Sequence, residues 1–438
     1  MKTRFSQGKA RFLEAVESDL PSRSPSQRSR VSRSSLMALG HELSQAPDAN
    51  RILAELSLSA LTNNYRSIAE QVKGLAILPM VKANAYGHDL SWVCETLSNE
   101  SNLYGFGVAT LEEGERVRRT LGPRKHKLPI IVFSGATPWS IEAEDFCASY
   151  GLTPVIGSYE SWNEFVKLKS SKRLGYEIKF NTGMNRLGIP FELATQVLSQ
   201  IQKLEMPAPH GVLSHLACAE EPDHSVSHQQ LKRFRVLRRE VLSRFSQSFL
   251  HLGNSAAIWK AKQWELTELT DVVRPGLALY GIVPFAGAPR RGLEPVLRLK
   301  ARVLTVGKLK AGESIGYGAQ FKHSSGATAP LPYAIIGAGY ADGVLRSLSS
   351  VGQVRVVSER AGGKKLGQTT EFNGRILGRV SMDMIAVECS KTTQPGDWAE
   401  LIGPELDLWA QAALAGTIPY ELLTSLSIRV PRNYVASF

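Results

Sequence analysis

The stretch ILPMVKANAYGHD, residues Ile77–Asp89, places a lysine where an apolar run ends and a turn begins. The run Ala76–Lys82 predicts a buried strand, and a helix is predicted to begin near His88. In a barrel of alternating strands and helices, catalytic side chains gather at the carboxyl ends of the strands. Partial burial lowers the pKa of a lysine amine, and the neutral amine is the form that makes a Schiff base with a carbonyl group. Lys82 is therefore the first candidate catalytic residue.

The same strand-then-helix unit recurs over about two hundred residues. Ahead of it, ILAELS (Ile52–Ser57) predicts a strand and Leu58–Val72 an amphipathic helix. Eight apolar, β-leaning runs follow, most of them separated by helical stretches such as Leu111–Thr120, Tyr159–Leu168 and His228–Arg244. The runs are Ala76–Lys82, Tyr104–Val108, Pro129–Phe133, Thr153–Ile156, Tyr176–Asn181, His210–Ser214, Phe249–Leu252 and Asp271–Arg274. Eight units predict an α/β protein with a (β/α)8 TIM barrel, since the alternative, an open doubly wound sheet, normally uses fewer.

A second, mainly β domain is predicted after the barrel. From about Gly292 the helical period fades, and short strand-like runs alternate with glycine-rich turns. These runs are Val303–Lys308, Tyr333–Ile336, Gln353–Val357, Arg375–Val380 and Trp398–Leu401, with Leu408–Ala415 as the best helix candidate. We expect a barrel over residues 51–291, whose first strand (51–57) can instead join the β domain, and a β domain over residues 292–438.

Residues 1–50 differ in composition from the rest of the 438-residue chain. Seven of the fifteen residues 21–35 are serine and four are arginine, which predicts a disordered, basic tail. It can be a solvated tail, a nucleic-acid-binding arm or, in part, a wrongly assigned start, since Met37 could open the chain. The net charge is +12, of which the tail carries eight basic and five acidic residues. Because the remaining charge is spread over nearly four hundred residues, no nucleic-acid partner is predicted.

The cysteines and the apolar segments indicate a cytoplasmic protein. Cys94, Cys147, Cys218 and Cys389 lie far apart without a CxxC pair, so neither a disulfide framework nor a metal site is predicted. The chain has no apolar run of about 18 residues and no signal-peptide pattern, so no membrane partner is expected.

The Lys82 segment is one of a series of motifs that occur in a fixed order. They are VKANAYGHD (81–89), NTGMNRLG (181–188), SHLA (214–217), GNSAA (253–257), VRPGLALYG (273–281), SIGYGAQF (314–321), GYADGVLR (339–346), RVSMDM (379–384) and SIRVPRNY (427–434). In content and order this series closely resembles the alanine racemase family of pyridoxal-phosphate enzymes, from about Arg51 to Tyr434. The family's architecture is a (β/α)8 barrel followed by a β domain.

The resemblance implies four catalytic residues. Lys82 carries pyridoxal 5'-phosphate and serves as the acid/base on the D-alanine face of Cα, and Tyr317 serves on the L-alanine face. A racemase needs one acid/base on each side of a planar intermediate, which suits such a pair. His215 matches the residue that hydrogen-bonds this tyrosine and is itself held by an arginine. Arg274 matches the arginine that faces the pyridine nitrogen, where a permanent cation disfavours protonation of the ring and so favours racemisation over transamination.

The resemblance also implies the binding residues. The cofactor site, including its phosphate end, is assigned to Tyr86, Asn254, Ser255, Tyr420 and the backbone of Gly276 and Leu277. The substrate carboxylate is assigned to Arg186 and the backbone of Met382, Tyr340 lines the mouth of the site, and Lys179 matches a lysine that is carbamylated in many members. Two positions depart from the family: Asn181 replaces a common aspartate, and Ser381 replaces a common cysteine.

The expected activity is the interconversion of L-alanine and D-alanine, which supplies D-alanine for peptidoglycan. The family's sites form across a homodimer, so Tyr317 and Met382 of one chain are expected to meet Lys82 of the other. Bulky tyrosines at positions 317, 340 and 420 favour a small substrate side chain. The alternatives are a broad-specificity amino-acid racemase or an amino-acid decarboxylase on the same fold, a non-catalytic pyridoxal-phosphate carrier, and a nucleic-acid-binding protein.

Overall fold

A computed structural model describes residues 50–221, 223–358 and 370–438. The tail predicted over residues 1–50 therefore lies, except for Asn50, outside the described residues. Up to the end of the barrel, the strands and helices in chain order are β1 (Ile52–Ser57), α1 (Leu58–Gln71), β2 (Ala76–Ile77), α2 (Leu90–Leu97), β3 (Phe106–Val108), α3 (Leu111–Leu121), β4 (Ile130–Val132), α4 (Ile141–Tyr150), β5 (Leu152–Ile156), α5 (Tyr159–Phe165), β6 (Glu177–Asn181), β7 (Ile189–Pro190), α6 (Ala194–Lys203), β8 (Gly211–Leu213), α7 (Ser225–Arg244), β9 (Phe249–Asn254), α8 (Ser255–Trp259), α9 (Leu266–Leu269) and β10 (Val272–Arg274).

Eight parallel strands form the predicted barrel, in the order β2-β10-β9-β8-β6-β5-β4-β3. Parallel bridges between Ile77 and Leu103 and between Met80 and Gly107 close the ring. The short strand β7 pairs beside β6. Each of the eight predicted runs overlaps one of these strands, so the (β/α)8 prediction is confirmed.

The predicted strand Ala76–Lys82 is too long. Regular pairing covers only Ala76–Ile77, because Pro79 has no N–H to donate to a ladder. The chain nevertheless stays anchored between its neighbours: the N–H groups of Leu78 and Met80 donate to Val273 and Pro275 at 2.8 and 3.0 Å. This extended segment delivers Lys82 to the carboxyl end of the barrel.

The remainder of the chain is built around a second sheet. Its strands and helices are β11 (Leu297–Leu309), β12 (Ser314–Ile315), β13 (Phe321–Lys322), β14 (Leu331–Ile336), β15 (Gln353–Ser358), β16 (Thr370–Leu377), β17 (Ile385–Glu388), β18 (Trp398–Ile402), α10 (Leu408–Leu414), α11 (Pro419–Thr424) and β19 (Arg432–Val435). The eight-stranded sheet has the order β14-β17-β16-β15-β18-β11-β1-β19, and β12 and β13 form a separate pair. The mainly β second region is confirmed, whereas β12, β13, β17, β19 and α11 were not predicted as elements.

The first strand, β1, lies in this second sheet. It is antiparallel to β11 and parallel to β19, with Glu55 opposite Arg298 on one side and Asn433 on the other. From residue 52 onward the chain therefore passes through the second sheet, forms the barrel and returns to the second sheet. The boundary at residues 291 and 292 stays a prediction.

The long helix α1 links the two regions. Ser57 caps it by accepting the Ala60 N–H at 3.2 Å, and Leu61, Tyr65 and Ile68 lie on its buried face. Leu58 and Leu61 belong to the same core cluster as Leu299 of the second sheet and Tyr280 of the barrel. Among the described residues, no helix is long and apolar enough to cross a membrane.

Candidate active site

Lys82 is followed by a left-handed turn made of non-glycine residues. Ala83, Asn84, Ala85 and Tyr86 have φ values of 52°, 52°, 54° and 53°. This conformation costs about 1–2 kcal/mol for each L-residue, so it persists only where the surrounding structure fixes it. The predicted helix begins at Leu90, two residues after His88.

Side chains from other elements fix this turn. Asn84 Oδ1 accepts the Leu90 N–H and an Arg116 N–H, both at 3.0 Å. Asp89 caps α2, and its other oxygen accepts the Tyr434 hydroxyl of β19 at 2.6 Å. The turn is therefore held by both the barrel and the last strand.

The carboxyl ends of the barrel strands carry a cluster of cations. Burial lowers the pKa of Lys82, and the nearby Arg186 lowers it further, while Glu113 acts in the opposite direction. Burial likewise lowers the pKa of Lys179 to about 8, with contributions from Arg274, Arg186 and Lys82. The Lys179 amine is therefore partly neutral near pH 8, and the lowered pKa of Lys82 increases its neutral fraction. The neutral amine is the form that attacks a carbonyl group or takes up carbon dioxide. Such a cluster suits an anionic ligand.

Arg274 connects this cluster to His215. Its Nη2 donates to the Ser214 carbonyl at 2.6 Å and lies 3.3 Å from His215 Nδ1. Because a guanidinium only donates, His215 Nδ1 must accept, and its Nε2 carries the proton. Burial, followed by the neighbouring cations, holds the pKa of His215 well below its usual value, so the ring is neutral. The arginine that holds His215 is therefore Arg274.

The second terminal nitrogen of Arg274 has no hydrogen-bond partner among the described residues. This atom, Nη1, is buried, and burial lowers the pKa of the group to about 10, so it stays protonated at neutral pH. An unsatisfied buried donor costs free energy. It therefore fits an acceptor such as a pyridine nitrogen.

A cradle for a phosphate group forms beside the left-handed turn. Ser255 Oγ accepts the N–H groups of Gly276 and Ala278 at 3.0 and 3.3 Å. A Cβ at Gly276 would lie 2.5 Å from the Tyr86 hydroxyl, so only glycine permits this approach. The rings of Tyr86 and Tyr420 lie 5.9 Å apart, and Leu277 starts a 3-10 turn over Leu277–Tyr280. Hydroxyl and backbone N–H donors at the starts of helices suit a phosphate dianion.

The two tyrosines of this cradle remain hydrogen-bond donors. Burial raises the pKa of Tyr420 to about 12 and that of Tyr86 further.

Asn254 is used differently from the other predicted cofactor residues, since its Oδ1 accepts the Ala257 N–H at 2.9 Å and caps α8. The residues present thus fit pyridoxal 5'-phosphate: a lysine amine, a free donor for the ring nitrogen and a dianion cradle.

Asn181 organises the loop that carries Arg186. Its Oδ1 accepts the N–H groups of Gly183 and Asn185, each at 3.0 Å, and its Nδ2 donates to Asn185 Oδ1 at 2.8 Å. An aspartate would lack this last donor. The departure from the family pattern therefore changes a loop contact beside Lys179.

Three predicted site residues lie in loops between strands of the second region. They are exposed to solvent when a single chain is considered. Tyr317, Met382 and Tyr340 are 71%, 52% and 44% exposed. Within the described part of the chain, none of these side chains hydrogen-bonds to the barrel residues around Lys82. The single chain thus brings together the barrel residues and Tyr420, but not these three.

A buried carboxylate, Asp342, holds the loops that carry Tyr340 and Met382. Its two oxygens accept Arg51 at 2.8 and 3.0 Å, and Oδ1 also accepts Arg429 Nε at 2.8 Å. The N–H of Tyr340 donates to the Ser381 carbonyl at 3.0 Å, and that of Ala341 to the Met382 carbonyl at 3.1 Å. Burial alone would raise the pKa of Asp342, but the hydrogen bonds from the arginines hold it below its usual value.

We expect Asp342→Asn to lower the free energy of unfolding by about 2 kcal/mol, because a neutral amide in place of the buried carboxylate loses the charge-assisted hydrogen bonds from two partly exposed arginines. Urea unfolding at neutral pH measures this loss. Asp383→Asn is the matched control, since Asp383 binds the same Arg429 at 2.8 Å but is largely exposed, so its loss should be much smaller. A carboxyl group whose pKa is lowered in the folded state contributes stability above its usual pKa. This contribution is lost as the pH falls through the lowered pKa. Wild-type protein should therefore lose more stability on acidification than Asp342→Asn, and equal losses would contradict this account.

One cluster outside this site resembles a metal centre. Cys218, Glu221 and His224 place one ligand atom each within 4.8 Å of one another. However, His224 Nδ1 accepts the Val226 N–H at 3.2 Å, so a neutral ring carries its proton on Nε2, the nitrogen nearest Glu221. The cluster therefore lacks a free imidazole ligand.

A closed (β/α)8 barrel with a half-buried lysine just after its first barrel strand, a free arginine donor and a phosphate cradle defines a pyridoxal-phosphate-dependent enzyme. Comparison with known proteins identifies the family. Residues 56–284 match the model of the alanine racemase N-terminal domain, and residues 296–434 match that of the C-terminal domain. The chain belongs to the alanine racemase family, whose members are isomerases.

Individual relatives agree with the family models. The chain is 34% identical to an alanine racemase of Carboxydothermus hydrogenoformans, over 88% of this chain and 99% of the relative. It is also 34% identical to a catabolic alanine racemase of Agrobacterium fabrum, over 87% of this chain and 91% of the relative. The biosynthetic alanine racemase structure from Pseudomonas aeruginosa matches with a TM-score of 0.75 and 30% identity, over 88% of this chain and 99% of that one.

The Bartonella henselae alanine racemase structure, with covalently bound pyridoxal phosphate, matches with a TM-score of 0.74 and 30% identity, over 88% of this chain and 99% of that one.

Proposed function

We propose that this protein interconverts L-alanine and D-alanine, with pyridoxal phosphate attached to Lys82 and with active sites shared between two subunits. The observation that carries the proposal is the free, buried Nη1 of Arg274 in the same cation cluster as Lys82. When bound, the cofactor withdraws electrons from Cα of the amino acid. A cationic partner at its ring nitrogen weakens that withdrawal and favours return of the proton to Cα.

Two groups of the chain move the proton. The amine of Lys82, with its lowered pKa, accepts or donates the proton on one face of Cα. The Tyr317 hydroxyl does so on the opposite face. His215 Nε2–H, held in this tautomer by Arg274, is the donor that stabilises the Tyr317 oxygen when it has lost its proton.

The remaining groups bind and orient the reactants. Tyr86, Ser255 and Tyr420 donate hydroxyl hydrogens to the phosphate, together with the backbone of Gly276 and Leu277. Arg186 and the Met382 N–H bind the carboxylate of the substrate, with Lys179 beside Arg186, and Tyr340 narrows the mouth. Orientation of this kind supplies a large part of a catalysed rate.

A head-to-tail homodimer completes each site. Tyr317, Tyr340 and Met382 are exposed in one chain although the chemistry needs them at Lys82. In a symmetric dimer the second sheet of each subunit covers the barrel mouth of the other, so that both sites are complete. A catalytically competent monomer would argue against this arrangement.

The tyrosines at positions 317, 340 and 420 leave room for a small side chain, which supports alanine as substrate. A broad-specificity racemase or an amino-acid decarboxylase is less favoured, because the relatives named above are alanine racemases. We propose that the product D-alanine serves peptidoglycan synthesis in the cytoplasm.

Deuterium exchange tests the reaction. The pure protein with pyridoxal phosphate is incubated with L-alanine or D-alanine in deuterated water, and the products are analysed by NMR and chiral chromatography. We expect deuterium at Cα together with racemisation from either enantiomer. Release of carbon dioxide, or the absence of exchange, would refute the proposal.

A further inference from the structure

Helix α3 begins with a sequence that predicts a capping box, but its glutamate binds elsewhere. Thr110 caps the helix by accepting the Glu113 N–H at 3.3 Å. In a capping box the glutamate at this position would return to the N–H of Thr110 itself. Here Glu113 Oε2 accepts the Ala109 N–H at 2.8 Å, and Oε1 accepts the Ala83 N–H at 2.6 Å. The glutamate therefore joins the end of β3 to the residue that follows Lys82.

Ala83 is the first residue of the left-handed turn, so this bond fixes the turn where Lys82 leaves the barrel. The bond is charge-assisted, which makes it stronger than a bond between neutral groups. Both oxygens of Glu113 accept N–H groups, and only a carboxylate offers two acceptors in this geometry.

Glu113 also brings a negative charge to an amine surrounded by cations. Burial contributes most to the lowered pKa of Lys82, Arg186 lowers it further, and Glu113 raises it. Lys179 and His215 belong to the same group, since their pKa values are lowered first by burial and in smaller part by cations that include Lys82. Removing the Glu113 charge would leave only cationic and neutral groups among these neighbours.

We propose that Glu113 is a positioning residue for Lys82: its carboxylate fixes the left-handed turn through the Ala83 N–H and provides the counter-charge to the Lys82 amine. This inference rests on the proposed role of Lys82 as cofactor attachment point and acid/base.

The charge is tested by labelling Lys82 in the full-length protein after removal of pyridoxal phosphate. At each pH a trace of acetic anhydride is added, and mass spectrometry compares acetylation of Lys82 with that of the exposed Lys73. In Glu113→Gln we expect the midpoint for Lys82 to move to lower pH by about one pH unit, because the amine loses its neighbouring anion. Glu112→Gln, in the same helical turn with an exposed side chain, should leave the midpoint unchanged.

The hydrogen bond is tested by Glu113→Asp, which keeps the charge but is one methylene shorter. We expect a midpoint near that of wild type, and dissociation of pyridoxal phosphate at least about tenfold faster because the turn is less well fixed. If neither variant differs from wild type in midpoint or cofactor release, the proposal is wrong. Suppose instead that the midpoint shifts in Glu113→Gln but the wild-type protein does not racemise alanine. The coupling between Glu113 and Lys82 would then stand, and the proposed function would be refuted.

Discussion

Replacing Lys82 with alanine is expected to abolish racemisation and covalent retention of the cofactor. In the proposed mechanism the amine is both the attachment point and one of the two proton-transfer groups, so kcat should fall at least about ten-thousandfold. Chiral chromatography measures turnover, and the visible absorbance of dialysed protein measures retained pyridoxal phosphate.

Lys73→Ala removes an exposed lysine just before the first barrel strand and serves as the control. It should retain both properties. Added methylamine should partly restore turnover in Lys82→Ala, because a small primary amine can occupy the space of the deleted side chain. Turnover of the unrescued variant within tenfold of wild type would exclude Lys82 as the base.

Replacing Tyr317 with phenylalanine is expected to separate the two faces of the reaction. Racemisation should fall about 100- to 10,000-fold in both directions, because each direction needs both proton-transfer groups. Exchange of the Cα hydrogen of D-alanine in deuterated water should persist without inversion, since Lys82 alone performs it. Exchange of L-alanine should be lost. Equal loss of both exchanges would contradict the assignment of the two faces.

Mixing the two inactive variants tests whether the sites are shared. In a mixed dimer of Lys82→Ala and Tyr317→Phe chains, one site contains both substitutions and the other contains neither. Random reassociation makes half of the dimers mixed, so about a quarter of all sites should be active. Sites built within one chain would give no recovery at any mixing ratio.

The repeated pattern of the sequence was sufficient to predict the barrel, because the strand runs are apolar and helices such as Leu111–Leu121 and Ala194–Lys203 are amphipathic. The ordered motifs predicted Arg274 and His215 as residues of one site, and the structure adds that Arg274 Nη2 lies 3.3 Å from His215 Nδ1. Neither predicts the left-handed turn at Ala83–Tyr86, since alanine and tyrosine have no preference for positive φ. That conformation depends on contacts with Arg116, Glu113 and Tyr434, which are distant in sequence.

Glu113 was missed for a related reason. The sequence Thr110–Glu113 has the spacing of a local helix cap, and only the fold shows that its carboxylate reaches Ala83. Asp342 was missed in the same way, although it belongs to the motif GYADGVLR from which Tyr340 was assigned. Its buried ion pairs are made with Arg51 and Arg429, which lie near opposite ends of the described chain. Long-range contacts of this kind leave no periodic signal in the sequence.

The pairing of β1 with β11 and β19 has a consequence for the order of folding during synthesis. The ribosome makes Ile52–Ser57 about 240 residues before its partner β11 and still longer before Arg432–Val435. In the meantime the barrel strands can pair with one another, whereas β1 has no partner strand until β11 has been made. Because Tyr434 also binds Asp89, the turn that follows the reactive lysine is completed only when the last strand emerges. The nascent barrel should therefore bind pyridoxal phosphate poorly until the last strand has been made.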